Sequence, residues 1–176
     1  MLRGSVRFKL ILAYFPPRPW EKKELNKWKE TGTALMKWVD TEWQQTPMRV
    51  TPIIMTDLNS QLDGRLTDDP CIGPYGKGKP NDNDTRFTKW MRSHSAAAVN
   101  THLNAGPTYV SPHNVGKTID YIIIPIECMP TVNSCAVWRH ATRKVRATPY
   151  TVDHICMGTC FWIQRRKVSD VCPFFQ

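Results

Sequence analysis

Ile119-Asp120-Tyr121-Ile122-Ile123-Ile124-Pro125-Ile126 is a nearly continuous apolar run interrupted by one carboxylate. A short, β-branched stretch of this kind reads as a central strand buried on both faces, the type found in sheets covered by other layers. Asp120 stands at its start, where an unpartnered carboxylate is expensive to bury. Upstream, Val50 to Met55 reads as a second buried strand and ends in Thr56-Asp57-Leu58-Asn59. Between Val6 and Tyr14 the residues alternate: Val6, Phe8, Leu10, Leu12 and Tyr14 on one face, Arg7 and Lys9 on the other. That period of two predicts a strand, which Pro16-Pro17 ends.

Helical spacing fills the gap between the first two strands. From Trp20 to Trp43, Leu25, Trp28, Leu35, Trp38 and Val39 recur at helical intervals with Lys and Glu between them, so a long amphipathic helix covers one face of the sheet. At that spacing Trp20, Trp28, Trp38 and Trp43 read as core residues. Pro47 ends the helix. A turn-rich stretch runs from Asp57 to Asp84, and Phe87, Trp90 and Met91 mark a shorter helix capped by Asn83 or Asp84. Further strands are expected around Ala97 to Leu103, at Tyr109-Val110 and from about Ile155 to Ile163. Strands separated by helices of this size predict a layered α/β domain, with the strand order left open.

Composition narrows the classes. The chain has 176 residues, 41% of them hydrophobic and 10% aromatic, enough for one sizeable core. Lys and Arg number 24 against 15 Asp and Glu, giving +9. The excess is greater beyond residue 88, where ten basic residues face only four acidic ones. Such a balance fits a polyanionic partner such as nucleic acid. No apolar run approaches the roughly 18 residues of a membrane helix, and Leu10 to Phe15 is too short for a signal-peptide core. Six cysteines without a CxxC pair read as free thiols in a reducing compartment, so a soluble intracellular protein is expected, nuclear or cytoplasmic.

The polar residues at strand ends carry the functional signal. Asp57 and Asn59 follow one buried strand, Asp120 opens another, and Asp153-His154 immediately precedes the last. Ligands of α/β proteins gather at such strand ends. Each Asp alone reads as a cap or turn former; as a set they point to a site. The near-P-loop Gly73-Pro74-Tyr75-Gly76-Lys77-Gly78-Lys79-Pro80 fails at Pro80, which lacks both the hydroxyl and the N–H that phosphate binding uses. The cysteine and histidine spacings match no structural zinc site.

These motifs resemble the endonuclease/exonuclease/phosphatase superfamily. Thr56-Asp57-Leu58-Asn59 is similar to its GDFN motif, Ile119-Asp120-Tyr121-Ile122 to its IDYI strand and Asp153-His154 to its closing SDH motif. Tyr14-Phe15-Pro16-Pro17 resembles its Tyr-x-Pro strand end, and Thr108-Tyr109-Val110-Ser111 its T-x-x-S segment. The flavour is nearest to the apurinic and retrotransposon-type endonucleases. The resemblance implies a four-layered α/β sandwich, DNase I-like, and metal-dependent phosphodiester hydrolysis with Mg²⁺ or Mn²⁺. It assigns Asp57 to the attacking water, Asn59 to positioning that water, and His154 to a non-bridging phosphate oxygen. Asp120 would orient His154, Asp153 would sit at the metal, and Tyr14 would reach a phosphate oxygen or the leaving group.

The basic segment with Arg139, Arg143, Lys144 and Arg146 could grip a phosphate backbone beside Asp153-His154. Thr56 and Val152 replace the Gly and Ser of the family's motifs. The Asn and the metal-binding Glu that the family carries before its Tyr-x-Pro strand are absent, so the chain resembles about the C-terminal two-thirds of the domain and weak or lost activity is expected. The competing expectations are a non-catalytic relict that binds nucleic acid, and a phosphodiesterase acting on a small or lipid phosphoester.

Overall fold

In the computed structural model, strands β1 (Arg7–Tyr14) and β2 (Val50–Asp57) run parallel, as a helical crossover between them requires. The structure describes residues 7–64, 69–76, 78, 81–111, 113–137, 153–154 and 157–161, the last two ranges by backbone alone. The crossover is α1 (Leu25–Gln44), preceded by a single 3₁₀ turn over Lys22–Glu24. Helix α2 (Asp82–Ser93) leads into β3 (Ala96–Ala98) and the one-turn helix α3 (Val99–His102). Then follow β4 (Tyr109–Val110), β5 (Gly116–Lys117), β6 (Asp120–Pro125), a 3₁₀ stretch over Ile126–Thr131 and β7 (Val132–Val137). Two strands close the described chain, β8 (Asp153–His154) and β9 (Met157–Phe161).

The main sheet has the order β1-β2-β6-β3, and β6 runs antiparallel to both neighbours. Two small sheets accompany it, β5-β4-β8 and β7-β9. The architecture is therefore mixed α/β. Its larger core lies between the main sheet and helices α1 and α2, where Ile11, Ala13, Ile54, Tyr121 and Ile123 meet Val39, Phe87, Trp90 and Met91. Aromatic edges lock the helix pair: Trp43 meets Trp90 edge-on at 5.2 Å, and Phe15 meets Phe87 at 5.8 Å. On the opposite face Ile53, Ile122 and Ile124 pack with Val99 and Cys135 under α3 and β7. Every Ile of the Ile122–Ile124 run is buried, as expected of a strand covered on both faces.

Several sequence-based expectations need correction. The apolar face of β1 is not the packed one. Ile11 and Ala13 face the helices, together with Lys9, whose ammonium reaches the Glu42 carboxylate at 2.8 Å. Leu10, Leu12 and Tyr14 are exposed on the other side at the sheet edge. Trp20 lies outside α1 and is fully exposed, and Trp38 is partly exposed, while Trp28 is buried and Trp43 packs against the core. Helix α2 is capped by Asn81, not Asn83 or Asp84: its side chain accepts from the Asn83 amide, and Asp84 returns the bond to the Asn81 amide in a capping box.

The strand expected around Ala97 to Leu103 stops at Ala98, because the Thr101 hydroxyl donates to the Ala98 carbonyl at 2.6 Å and winds the chain into α3. Strand β7 was not foreseen. Cys71, Cys128 and Cys135 are free thiols, and Cys71 and Cys135 are buried. Among the described residues no helix is long and apolar enough to cross a membrane.

Candidate active site

Strand register brings three of the expected site residues into one row. Tyr14 stands opposite Asp57, and Asp57 stands opposite Asp120. Neighbouring strands lie about 4.8 Å apart and residues in register point to the same face, so the three side chains occupy one end of one sheet face. The rows behind them are apolar: Leu12 with Met55, and Met55 with Ile122. Tyr14 is exposed, and Asp57 and Asp120 are half-buried. The sheet ladder continues one step beyond the row, with the Phe15 amide donating to the Asp57 carbonyl and the Leu58 amide to the Ile119 carbonyl, each at 2.8 Å.

A network of amides fixes the loop that follows Asp57. One Asp57 carboxylate oxygen accepts from the Asn59 amide at 3.0 Å, which closes a tight Asx turn. Asn59 adopts φ 48°, a left-handed conformation that Asn tolerates better than most residues. Its side-chain NH₂ donates to the Phe15 carbonyl at 2.9 Å and so ties the end of β1 to the loop after β2. Asn83, almost fully buried, donates both to Leu58 at 3.1 Å and to Pro16 at 3.2 Å. The Trp28 indole also donates to the Pro16 carbonyl, at 2.8 Å. Asn81 reaches the Asn59 carbonyl at 3.3 Å. Four side chains from three elements thus clamp both strand ends on which the row stands.

The start of β6 is held just as firmly. Thr108, fully buried, accepts at its hydroxyl from the amides of Ile119 and Asp120, both at 3.1 Å. Asn100 donates to the Asp120 carbonyl at 3.0 Å and accepts from the Ile122 amide at 3.4 Å. The Tyr121 hydroxyl donates to Thr118 at 2.7 Å and accepts from the Leu62 amide at 2.8 Å. Burial pushes the Tyr121 phenol well above its usual range, so it serves as a neutral structural group. Asn81, Asn83 and Asn100 were missed as site-shaping residues. The one signal for Asn100 is a polar residue directly after the apolar stretch Ala96 to Val99.

Asp153 and His154 come to the same neighbourhood through backbone pairing. Strand β8 pairs with β4, Tyr109 opposite His154 and Val110 opposite Asp153. Tyr109 directly follows Thr108, whose hydroxyl holds the Asp120 amide, so the backbone of His154 lies one strand from the residue anchoring Asp120. The side chains of Asp153 and His154, and all of Arg139, Arg143, Lys144 and Arg146, lie outside the described residues.

Thr56, standing where the resembling motif has Gly, points into the helix-side core and its hydroxyl finds no partner among the described residues. Also among the described residues, no group of three or more His, Cys, Asp or Glu side chains is placed to hold a metal ion. The donor chemistry of the row nonetheless fits a hard cation such as Mg²⁺, which takes one or two carboxylates and keeps water and phosphate oxygens for the rest.

Mixed pairing in the order β1-β2-β6-β3, with two helices on one face and polar residues gathered at one end, is a fold this chain shares with a solved structure. The solved structure that carries this conclusion is a point variant of the 3' phosphatase NExo from Neisseria, bound to product DNA hairpin. It aligns with a TM-score of 0.57 at 13% identity, over 84% of this chain and 58% of its own. A structure of the 3'-5' exonuclease NExo from Neisseria meningitidis aligns at 0.48 and 15% identity, over 79% of this chain and 54% of its own. The chain thus spans under two-thirds of the length of either structure. At these identities the likeness is one of fold. No protein-family model and no curated protein sequence matches.

Proposed function

We propose that this chain is a metal-dependent phosphodiester hydrolase acting on nucleic acid. The observation that carries the reading is the Tyr14–Asp57–Asp120 row at the clamped end of the sheet, in a fold shared with a DNA-processing enzyme. Asp57 accepts the proton of the attacking water as its oxygen bonds to phosphorus and the bond to the leaving oxygen breaks. Asn59 keeps Asp57 in place through the turn it closes, and its own carboxamide borders the path of the water. His154 donates to a non-bridging phosphate oxygen, where charge grows in the transition state, and Asp120 orients it. Tyr14 contacts a phosphate oxygen or the leaving group.

A divalent cation, Mg²⁺ or Mn²⁺, held in part by Asp153, would neutralise charge on the phosphate. Arg139, Arg143, Lys144 and Arg146 would grip the nucleic-acid backbone, in keeping with the +9 net charge. The exposed apolar side chains of Leu10 and Leu12 on the edge strand β1 leave room for a further layer, which supports the four-layered reading.

A second reading is a domain that binds nucleic acid without cleaving it, which the +9 net charge also favours. End-labelled DNA incubated with the purified chain separates the two. The hydrolase reading expects cleavage that needs Mg²⁺ or Mn²⁺, stops with chelator, and falls at least about 100-fold in Asp57→Asn and His154→Ala. Binding without cleavage under every metal condition leaves the non-catalytic reading standing and removes the hydrolase.

A further inference from the structure

Trp20 is 101% exposed, the most solvent-accessible large hydrophobic side chain in the described chain. A single apolar residue at a surface is ordinary. What sets Trp20 apart is how it is presented. The segment that carries it, Phe15-Pro16-Pro17-Arg18-Pro19-Trp20, has three prolines, each fixing φ and removing conformational freedom. Its base is anchored at the site: Phe15 is buried against Phe87 and accepts from Asn59, and the Pro16 carbonyl accepts from both Trp28 and Asn83. The indole is therefore held out into solvent by a stiff arm rooted in the clamp that fixes the Tyr14–Asp57–Asp120 row.

Trp20 lies six positions beyond Tyr14, so their Cα atoms are at most about 22 Å apart. Tyr14 is itself 59% exposed, and two aromatic surfaces thus flank the end of β1. Charge around the arm is nearly balanced: Arg18, Lys22 and Lys23 stand against Glu21 and Glu24, and Lys23 is paired with Glu21 at 2.7 Å. A site made of one flat, rigid aromatic with little net charge suits stacking on a planar ring better than gripping a phosphate.

We infer that Trp20 is a base-stacking platform for single-stranded or frayed nucleic acid, holding a base a short distance from the reacting phosphate. The inference rests on the nucleic-acid reading above and adds to it the part of the substrate that is recognised. Stacking on an aromatic tolerates any base, because every base has a π face.

The test is fluorescence anisotropy of a short labelled single-stranded DNA, with chelator present, using the full chain and its Trp20→Ala and Trp20→Phe variants. An abasic strand of equal length serves as the second probe. Trp20→Ala is expected to weaken binding to the base-bearing strand by roughly 5- to 150-fold, with Trp20→Phe recovering most of the loss. On the abasic strand Trp20→Ala binds like the unaltered chain, and the salt dependence is the same for both proteins because no phosphate contact is lost. Because the side chain is fully exposed, unchanged thermal unfolding of the variants confirms that binding alone was altered.

Equal affinity of Trp20→Ala and the unaltered chain for the base-bearing strand overturns the inference. So does an equal loss on the abasic strand, and so does absence of binding by the unaltered chain to either probe. Cleavage measured in parallel with Mg²⁺ keeps the two readings apart. A stacking defect in a chain that never cleaves leaves the platform standing and removes the hydrolase. Cleavage with no effect of Trp20→Ala does the reverse.

Discussion

Removing one oxygen from Tyr121 tests how the site is held. Tyr121 is 1% exposed and its hydroxyl joins two segments: it donates to the Thr118 carbonyl, two residues before Asp120, and accepts from the Leu62 amide in the loop after Asp57. Tyr121→Phe keeps the ring and its packing. It removes one buried hydrogen bond, worth about 1 kcal/mol, and strands the Leu62 N–H, which costs about 1–2 kcal/mol more. The sum is about 2–3 kcal/mol. For a chain of this size each kcal/mol moves Tm by about 2–4 °C, so a fall of about 4–12 °C is expected. Thermal unfolding followed by circular dichroism gives the shift, and hydrogen exchange at Leu62 should lose protection while the amides within β6 keep theirs. A Tm within about 1 °C of the unaltered protein, or unchanged exchange at Leu62, would show that the hydroxyl does not hold the loop and would refute the argument.

The other predictions concern the core and its charges. Thr56→Val replaces a buried hydroxyl that has no partner among the described residues with a methyl of the same shape, so stability should rise by about 1 kcal/mol in urea unfolding. Gly73→Ala should lower stability by about 1–3 kcal/mol, because a Cβ there would lie 2.4 Å from the His102 Cα and backbone cannot swing aside as a side chain can. Asp69 loses solvation on burial, but bonds from Arg92 and from the Cys71 amide outweigh that and hold its carboxyl below the usual range. A carboxyl depressed on folding stabilises above its unfolded pKa, and that contribution is lost as pH falls through the folded one. Arg92→Ala should therefore unfold more easily than the parent at neutral pH, with the gap closing below about pH 4. Burial beside Asp69 pushes the Cys71 thiol up to about 11, so peptide mass spectrometry should find it unalkylated in the native protein at mildly alkaline pH and alkylated after unfolding in urea.

Much of the fold was legible because its strongest signals are local. The run around Ile122 became β6 within one residue of each expected end, and the helix read from Trp20 to Trp43 became α1 over Leu25–Gln44. Trp20 lies before the first turn of that helix and is on the surface. What escaped was decided by distant partners. Strand β7 has no clean alternation in Val132-Asn133-Ser134-Cys135-Ala136-Val137 and forms because β9 pairs with it from twenty or more residues away. Helix α3 replaced the second half of an expected strand because Thr101 bonds backward to Ala98 while Gly73 donates to the same hydroxyl from another loop. Asn83 read as a possible cap and is instead a buried clamp between two strand ends.

The sequence by itself determined that strands alternate with helices, that they end in polar residues, and that Tyr14, Asp57, Asn59 and Asp120 are among those residues. Period and propensity act over a few residues, so these features need no partner to be read. Only the tertiary structure decided that Tyr14, Asp57 and Asp120 share one row, since register is a relation between strands far apart in the chain. It also decided which face of β1 is packed. A period of two divides a strand into two faces, but burial depends on what lies against each, and the helices of this fold chose Ile11 and Ala13 over the larger Leu10 and Leu12.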